Sequence, residues 1–183
     1  MFKKITAILL LSITPFITHA NNIKVGQSVA AVSVDEGGEI FIENDTTSYL
    51  PWTTEQMLGK VRVIQAIAGR SSAKSMNAPL MEAITNEHFP EDDYQTTTIV
   101  NQNDSIWGTG SFVKSSAEDG KQDFPWSSMV LDSDGVVSKV WQLDESTSTI
   151  IVQNKMGQVL YTKQGKLTDQ DIQQVLQLIK KSL

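Results

Sequence analysis

The clearest apolar pattern in the chain is the near-continuous run from Val61 to Ala68, which has the length of a β-strand. Such a run predicts a central strand that is buried on both faces. Gly69 ends this strand, and Ser71 or Ser72 is predicted to cap the helix that follows. The apolar face of that helix consists of Met76, Leu80, Ala83 and Ile84, and Pro79 is expected to kink it.

Later segments alternate between strand and helix patterns. Residues 136–143 place apolar side chains at helical spacing and predict a short helix. A turn at residues 154–157 predicts a hairpin. The strands predicted after the first are residues 94–100, residues 127–131 and the two arms of the hairpin, 150–152 and 159–161.

The C-terminal end of the chain has a stronger secondary-structure pattern than the N-terminal end. Thr168 and Asp171 form a capping-box pattern ahead of an apolar stripe, which predicts a C-terminal amphipathic helix. That stripe consists of Ile172, Val175, Leu176 and Ile179. The N-terminal part is expected to contain a weak strand at 29–34, a turn at 35–38 and a returning strand at 39–42. Residues 101–123 are polar and contain several glycines, so they predict no definite element.

Strands that alternate with helices predict a central sheet with parallel pairs, and the late hairpin adds antiparallel ones. The expected fold class is therefore α/β: a central mixed β-sheet flanked by helices, with a short-stranded N-terminal extension. No internal repeat or linker divides the chain, so a single domain over residues 21–183 is expected. Trp107, Trp126 and Trp141 are expected to lie in the core or to form the wall of a groove.

Residues 1–20 have the three parts of a secretory signal peptide. Lys3 and Lys4 form the basic start, residues 5–17 form the apolar stretch, and Thr18 and Ala20 place small residues before a cut. The apolar stretch is shorter than the roughly 20 residues that a membrane-spanning helix needs. We therefore expect an exported protein that has a cleaved signal peptide and no membrane anchor in its mature form.

Composition narrows the possible functions. The chain contains no cysteine, so it offers neither a thiolate for redox chemistry nor a disulfide. Removal of residues 1–20 takes two lysines from the 15 basic side chains and leaves 13 against 21 acidic ones, a net charge of −8. An acidic chain without basic runs disfavours nucleic acid as a partner. His88 is the only histidine after residue 20, so we expect no His- or Cys-based metal site and no cofactor.

Several motifs resemble those of exported redoxins of the TlpA type, which have a thioredoxin fold. Residues 58–61 (LGKV) resemble the start of their first core strand, and Pro79 with Leu80 resembles their kinked first helix. Phe124-Pro125 with residues 130–135 (VLDSDG) resembles their FP…LD-x-DG segment. Longer agreement makes the chain similar to the YtfJ family of periplasmic thioredoxin-like proteins. The stretches that carry it are residues 59–63, 67–70, 72–74, 94–101, 125–127 and 141–145.

This resemblance implies a fold and a compartment rather than a reaction. It also implies where the redox residues of redoxins would fall: the two CxxC cysteines on Ser71 and Lys74, the buried aspartate on Gln65, and the cis-proline on Ser148. A serine hydroxyl titrates far above physiological pH and does not replace a thiolate. The fold is therefore expected without its redox chemistry.

The candidate binding site follows the first core strand. A helix N-terminus there would offer free backbone N–H groups and a favourable dipole to an anion. The partner considered for this site is a peptide, a protein or a small anion. The alternative is that the segment binds nothing: serine caps the helix and the basic side chains are simply solvated. The candidate residues are Gly69, Arg70, Ser71, Ser72 and Lys74, with Ser148 and Thr149 expected to face them across a groove.

Three functions remain open at this point. The expected one is a non-catalytic binding or adaptor role in the groove that holds the CxxC motif in redoxins. Ser71 and Lys74 also match the S-x-x-K pattern of penicillin-recognising enzymes, so a serine/lysine hydrolase is the alternative, although no K-T-G or S-D-N motif accompanies it. The third is an accessory role in envelope redox or stress, with the thiols supplied by another protein.

The exported protein is predicted to begin at Asn21, because the small residues at the cut place cleavage after Ala20. Intact-mass spectrometry of the exported fraction should therefore give the mass of residues 21–183. An Ala20→Arg variant, which puts a large charged residue at the cut, should accumulate with residues 1–20 attached. An exported wild-type fraction that keeps those residues would contradict the prediction.

Overall fold

The computed structural model describes residues 21–44 and 46–183, so the predicted signal peptide lies outside the described residues. None of the helices within these ranges combines the length and the apolar character needed to cross a bilayer. The strands are β1 (Ser33–Glu43), β2 (Thr46–Thr53), β3 (Val61–Ala68), β4 (Tyr94–Asn101), β5 (Ser128–Asp132), β6 (Ser148–Gln153) and β7 (Val159–Gln164). The helices are α1 (Ser71–Met76), α2 (Ala78–Glu87), α3 (Gly110–Asp123), α4 (Val136–Trp141) and α5 (Asp169–Ser182).

The described strands form one mixed sheet in the order β2-β1-β5-β4-β3-β6-β7. β3, β4 and β5 are parallel neighbours, and the remaining pairs are antiparallel. The predicted central strand is confirmed, because all eight residues of β3 are buried between β4 and β6. The carboxyl end of β3 therefore lies beside the start of β6.

Helices cover both faces of this sheet. Residues two apart in a strand share a face, and Val61 and Val63 of β3 pack with α2 and α5. Ile67, further along the same face, belongs to the cluster that includes α1 and α3. Ile64, on the opposite face, packs with Val137 and other residues of α4. The sandwich of helix, sheet and helix confirms the α/β fold class.

The N-terminal part differs from the prediction in its details. The predicted turn at residues 35–38 is wrong, because β1 runs through it with a bulge in its pairing to β2. Gly37 and Gly38 adopt φ values of +90° and +91° there, a region that favours glycine. A Cβ on Gly38 would lie 2.1 Å from the Leu50 carbonyl oxygen. The bulge therefore lets β1 pair with β2 on one side and with β5 on the other.

The helix boundaries also refine the predictions. The predicted kink is present, but it lies at Asn77, between α1 and α2, with Pro79 in the first turn of α2. Capping of α1 by Ser71 or Ser72 is wrong, since the extended residue Arg70 precedes the helix and no side chain caps it. The capping box of Thr168 with Asp171 at the start of α5 is confirmed.

Arg62 connects β3 to its surroundings from inside the protein. Its side chain is buried and donates hydrogen bonds to the backbone carbonyls of Gln56 and Met57. It also donates to Thr97 and Gln95 of β4. Burial lowers the pKa of Arg62 from its usual value, and the nearby carboxylate of Glu39 partly offsets this effect. The cation therefore stabilises the fold through the acceptors that it satisfies.

Replacement of Arg62 by methionine is predicted to lower the free energy of unfolding by about 2–4 kcal/mol, because buried carbonyls would lose their donors. Lys60→Met is the matched control, since Lys60 donates to the Glu91 carbonyl at the surface. That variant should lie within about 1 kcal/mol of wild type. Urea unfolding of both variants measures the difference, and equal midpoints would contradict the prediction.

Candidate functional site

The carboxyl end of β3 depends on a close approach at Gly69. The Gly69 N–H donates to the Asn101 carbonyl oxygen at 2.8 Å. A Cβ at this position would lie 2.8 Å from that oxygen, 3.2 Å from Val113 Cγ1 and 3.3 Å from Ser105 Cβ. Any other residue would push these groups away, so glycine brings the segment after β4 and the start of α3 against the candidate site.

Arg70 already has an anionic partner within the chain. Its guanidinium donates from Nε to Asp104 Oδ1 at 3.0 Å, and the terminal nitrogen Nη2 forms an ion pair with the same oxygen at 2.8 Å. The other carboxylate oxygen of Asp104 accepts from the Ser146 N–H at 2.6 Å. The Asp104 side chain is only 11% exposed. Asp104 thus occupies the place next to Arg70 that an external anion was expected to take.

Ser71, Ser72 and Lys74 lie in the first turn of α1 and are exposed to solvent. Ala73 between them is fully buried and fixes the helix against the core. The Lys74 ammonium donates to Ser116 Oγ of α3 at 2.8 Å. Lys74 therefore points toward α3, and no hydrogen bond within the described residues joins it to Ser71.

Ser148 and Thr149 lie on the other side of this region but are buried, with exposed fractions of 0% and 1%. The Asn77 side-chain amide donates to Ser148 Oγ at 3.0 Å. Thr149 Oγ1 donates to Gln164 Oε1 at 3.0 Å. Both hydroxyls are thus engaged within the protein. A ligand on the surface would contact Ser71, Ser72 and Lys74 rather than these two groups.

Asn77, which the sequence analysis did not single out, joins the two sides of the site. Besides Ser148 it donates to the Gly165 carbonyl at 3.1 Å, and its side-chain oxygen accepts from the Leu167 N–H at 2.9 Å. Its exposed fraction is 2%. The sequence offered one indication of this role: Asn77 lies two residues before Pro79, close to the place where the helix was expected to bend. Asn77 thus fixes the bend between α1 and α2 to the start of β6.

The cavity at the carboxyl end of β3 is small. A cavity of about 20 Å³ lies among residues that include Asn101, Asp104, Asp132 and Thr147. This volume is enough for one water molecule. Asp132 is fully buried and accepts from the Val136 and Val137 N–H groups. Burial raises the pKa of Asp132, and these backbone donors oppose the shift. Of the candidate residues only Thr149 lines this cavity, so the exposed residues Ser71, Ser72 and Lys74 lie outside it.

A larger groove, of about 470 Å³, lies at the other end of the parallel strands. Its floor includes Lys121, whose ammonium donates to the carbonyls of Pro125 and Ser127 at 2.8 and 2.6 Å. Glu39 and Glu43 of β1 line the same groove, so it mixes charges of both signs. Within residues 21–44 and 46–183, no three His, Asp or Glu side chains are placed to hold a metal ion.

The tryptophans separate into distinct environments. Trp141 is fully buried, as expected, and Trp126 lines the larger groove with 49% of its surface exposed. The expectation is wrong for Trp107, which is 98% exposed. Ile106 and Phe112 beside it are 59% and 74% exposed. The segment before α3 and the first turn of the helix therefore present three large apolar side chains to solvent.

Comparison with known sequences finds one family model and two relatives that each match nearly the whole chain. The family described as "Bacterial protein of unknown function (YtfJ_HI0045)" matches residues 23–182. The uncharacterised protein YtfJ of Escherichia coli is 45% identical over 181 residues, which cover 99% of this chain and 98% of that protein. An uncharacterised protein of Haemophilus influenzae is 43% identical over 179 residues, covering 98% of this chain and 97% of its own.

Solved structures give the fold. The thioredoxin domain of a thiol-disulfide oxidoreductase from Bacteroides vulgatus aligns with a TM-score of 0.56 at 14% identity, covering 88% of this chain and 100% of that one. A thiol-disulfide isomerase from Corynebacterium glutamicum aligns with a TM-score of 0.52 at 14% identity, covering 86% and 96%. At this identity the likeness establishes a thioredoxin-like fold, and the absence of cysteine separates this chain from thiol chemistry.

Replacement of Asp104 by alanine is predicted to release both Arg70 and the loop that contains Ser146. The Ser146 N–H would lose its acceptor, so its hydrogen exchange should accelerate by about tenfold or more. Hydrogen exchange followed by NMR measures this rate. Asp119→Ala, at an exposed position of α3, is the control and should leave the rate unchanged. An unchanged rate in the Asp104 variant would contradict the contact.

Proposed function

This chain belongs to the YtfJ family of bacterial proteins of unknown function, and on that basis we propose that it is an exported periplasmic binding or adaptor module without redox chemistry. Its binding surface consists of Ser71, Ser72 and Lys74, with Gly69 and Arg70 holding the surrounding loops in place. The observation that carries the proposal is the exposure of Ser71 and Lys74, the positions that correspond to the redoxin cysteines. Because a fold does not by itself determine a function, the proposal rests on these exposed side chains and not on the thioredoxin-like fold.

The contacts of Lys74 favour binding over hydrolysis. A serine nucleophile needs a base within hydrogen-bond reach to remove its proton. The Lys74 ammonium instead donates to Ser116 Oγ at 2.8 Å. The other neighbouring cation, Arg70, is paired with Asp104. The arrangement thus supports Ser71 as a contact residue rather than as a nucleophile.

The shape of the site favours an extended partner over a small molecule. Sites for small ligands are commonly clefts of about 300–1,000 Å³, whereas Ser71, Ser72 and Lys74 line neither the cavity of about 20 Å³ nor the larger groove described above. The hydroxyls of Ser148 and Thr149 are also buried. A peptide or a protein segment lying across α1 would contact the exposed side chains without requiring a cavity.

Selection of randomised 12-residue peptides displayed on phage, with the purified protein immobilised, tests this function. Enriched peptides should bind the wild-type protein, and Ser72→Trp should weaken that binding by about tenfold or more, because a large side chain would cover the surface. Asn86→Trp, at an exposed position of α2, is the matched control and should bind as wild type does. The affinities are measured by fluorescence anisotropy of labelled peptides.

A fluorophosphonate probe separates this function from the hydrolase alternative. The binding module should remain unlabelled, because no base among the described residues is hydrogen-bonded to the Ser71 hydroxyl. Labelling of the wild-type protein that disappears in Ser71→Ala would overturn the non-catalytic proposal. Failure to enrich any peptide, or equal peptide binding by the wild type and Ser72→Trp, would overturn the proposed binding surface.

A further inference from the structure

The segment before α3 and the first turn of α3 expose three large apolar side chains. Trp107 is 98% exposed, and Phe112 and Ile106 are 74% and 59% exposed. Exposed apolar residues that occur singly are ordinary, but a contiguous group marks an interaction surface. Tryptophan in particular is over-represented among the residues that dominate binding energy. These three side chains lie within seven residues of sequence, and their exposure indicates a surface that binds a partner.

Hydrogen bonds hold this segment in a defined shape. The Thr109 N–H and hydroxyl both donate to the Ile106 carbonyl, at 2.9 and 2.7 Å, and close a turn around Trp107. Gln102 donates from its side-chain amide to the Gly110 carbonyl at 2.7 Å and accepts from Ser133 at 3.0 Å. The turn is thus fixed to β5 through polar contacts. A surface that is ordered before binding loses less entropy when a partner docks.

The apolar group adjoins the proposed binding surface. Phe112 and Ser116 are four residues apart in α3, so they lie on one face of the helix, about 5–6 Å apart at Cβ. Ser116 accepts the hydrogen bond from the Lys74 ammonium. Ser105, next to Ile106, packs against Gly69 at the end of β3. Phe112, through Ser116, and Ile106, through Ser105, are therefore linked to the exposed side of α1.

The charge next to this surface indicates the chemistry of the partner. Arg70 is neutralised by Asp104. Lys74 is exposed, and no carboxylate of the described residues lies within 4.0 Å of its ammonium. A cation that borders exposed aromatic rings is complementary to a segment that combines apolar side chains with a carboxylate. A second copy of this chain is a poorer match, because residues 21–183 carry a net charge of −8.

From these observations we infer that Ile106, Trp107, Phe112 and Lys74 form the docking surface for an extended, apolar segment of a partner protein that also carries an acidic side chain. The inference rests on the proposed binding function and adds to it the class of partner. Trp107 and Phe112 contact the apolar side chains of the segment, and Lys74 pairs with its carboxylate across the start of α1.

The sequences of the phage-selected peptides and the affinities of the variants test the inference. Enriched peptides should combine aromatic or aliphatic residues with Asp or Glu. Trp107→Ala should weaken the binding of a labelled enriched peptide by about tenfold or more. Lys74→Ala should weaken it by about two- to fivefold and should reduce its dependence on salt. Circular dichroism should show an unchanged melting temperature for both variants, since both side chains are exposed.

Two matched controls use side chains of the same type away from this surface. Met156, 70% exposed in the turn between β6 and β7, controls for the loss of an exposed apolar side chain. Lys114, whose ammonium lies 4.8 Å from the centre of the Tyr49 ring, controls for the loss of a lysine. Neither Met156→Ala nor Lys114→Ala should change the affinity.

The outcomes separate this inference from the proposed function. Peptides that lose affinity in Ser72→Trp but keep it in Trp107→Ala would overturn the inference and leave the binding function in place. Selection of peptides rich in Lys or Arg would also overturn it. Sedimentation of the wild-type protein as a dimer, with Trp107→Ala as a monomer, would identify a second copy as the occupant and overturn the partner class.

Discussion

The arrangement of the candidate site depends on the absence of a side chain at Gly69. A Cβ there would stand 2.8 Å from the Asn101 carbonyl oxygen, so the chain leaving β4 could not approach the end of β3. Three consequences follow from this approach: Ser105 and Val113 pack against β3, Asp104 reaches Arg70, and α3 comes within reach of Lys74. The close contact thus aligns the segment with Trp107 against the start of α1.

The resemblance to redoxins would place their cis-proline and their buried aspartate on Ser148 and Gln65, and both residues are buried and uncharged. Ser148 accepts a hydrogen bond from the Asn77 side chain. Gln65 is buried within β3. A buried aspartate, unlike a glutamine, changes its charge with pH and thereby tunes a neighbouring thiol. Ser148 and Gln65 carry no titratable group, so protonation does not alter the charge of this buried part of the fold.

The sequence predicts an element of the fold well when the residues that determine the element lie within it. β3 and α5 were predicted correctly, because an unbroken apolar run and a capping box with an amphipathic stripe are contained within the segment itself. The turn predicted at residues 35–38 was wrong because two glycines read as a turn, whereas in β1 they form a bulge. The helix α3 gave little apolar periodicity, since only Ala117 and Lys121 of its 14 residues are buried.

The site itself was predictable only in part. The exposed residues of α1 follow from their place after the central strand, but Asp104 and Asn77 act through partners 34 and 71 residues away. No local pattern encodes such contacts, so a helix-terminal anion site was expected at Arg70, beside which the structure places Asp104. The pairing removes the charge of Arg70 from the surface and leaves the exposed ammonium of Lys74 beside the apolar side chains.

The apolar segment before α3 illustrates how a surface can be both exposed and ordered. Burying Trp107 within the chain would gain hydrophobic free energy, about 25 cal/mol for each Å² removed from water. The protein instead fixes the turn through Thr109, Gln102 and Ser133, whose hydrogen bonds are satisfied without covering the indole ring. Polar contacts thus determine the position of the ring, while its apolar surface remains open. A partner that covers the ring gains the hydrophobic free energy that folding leaves unused, and it meets a turn whose conformation is already set.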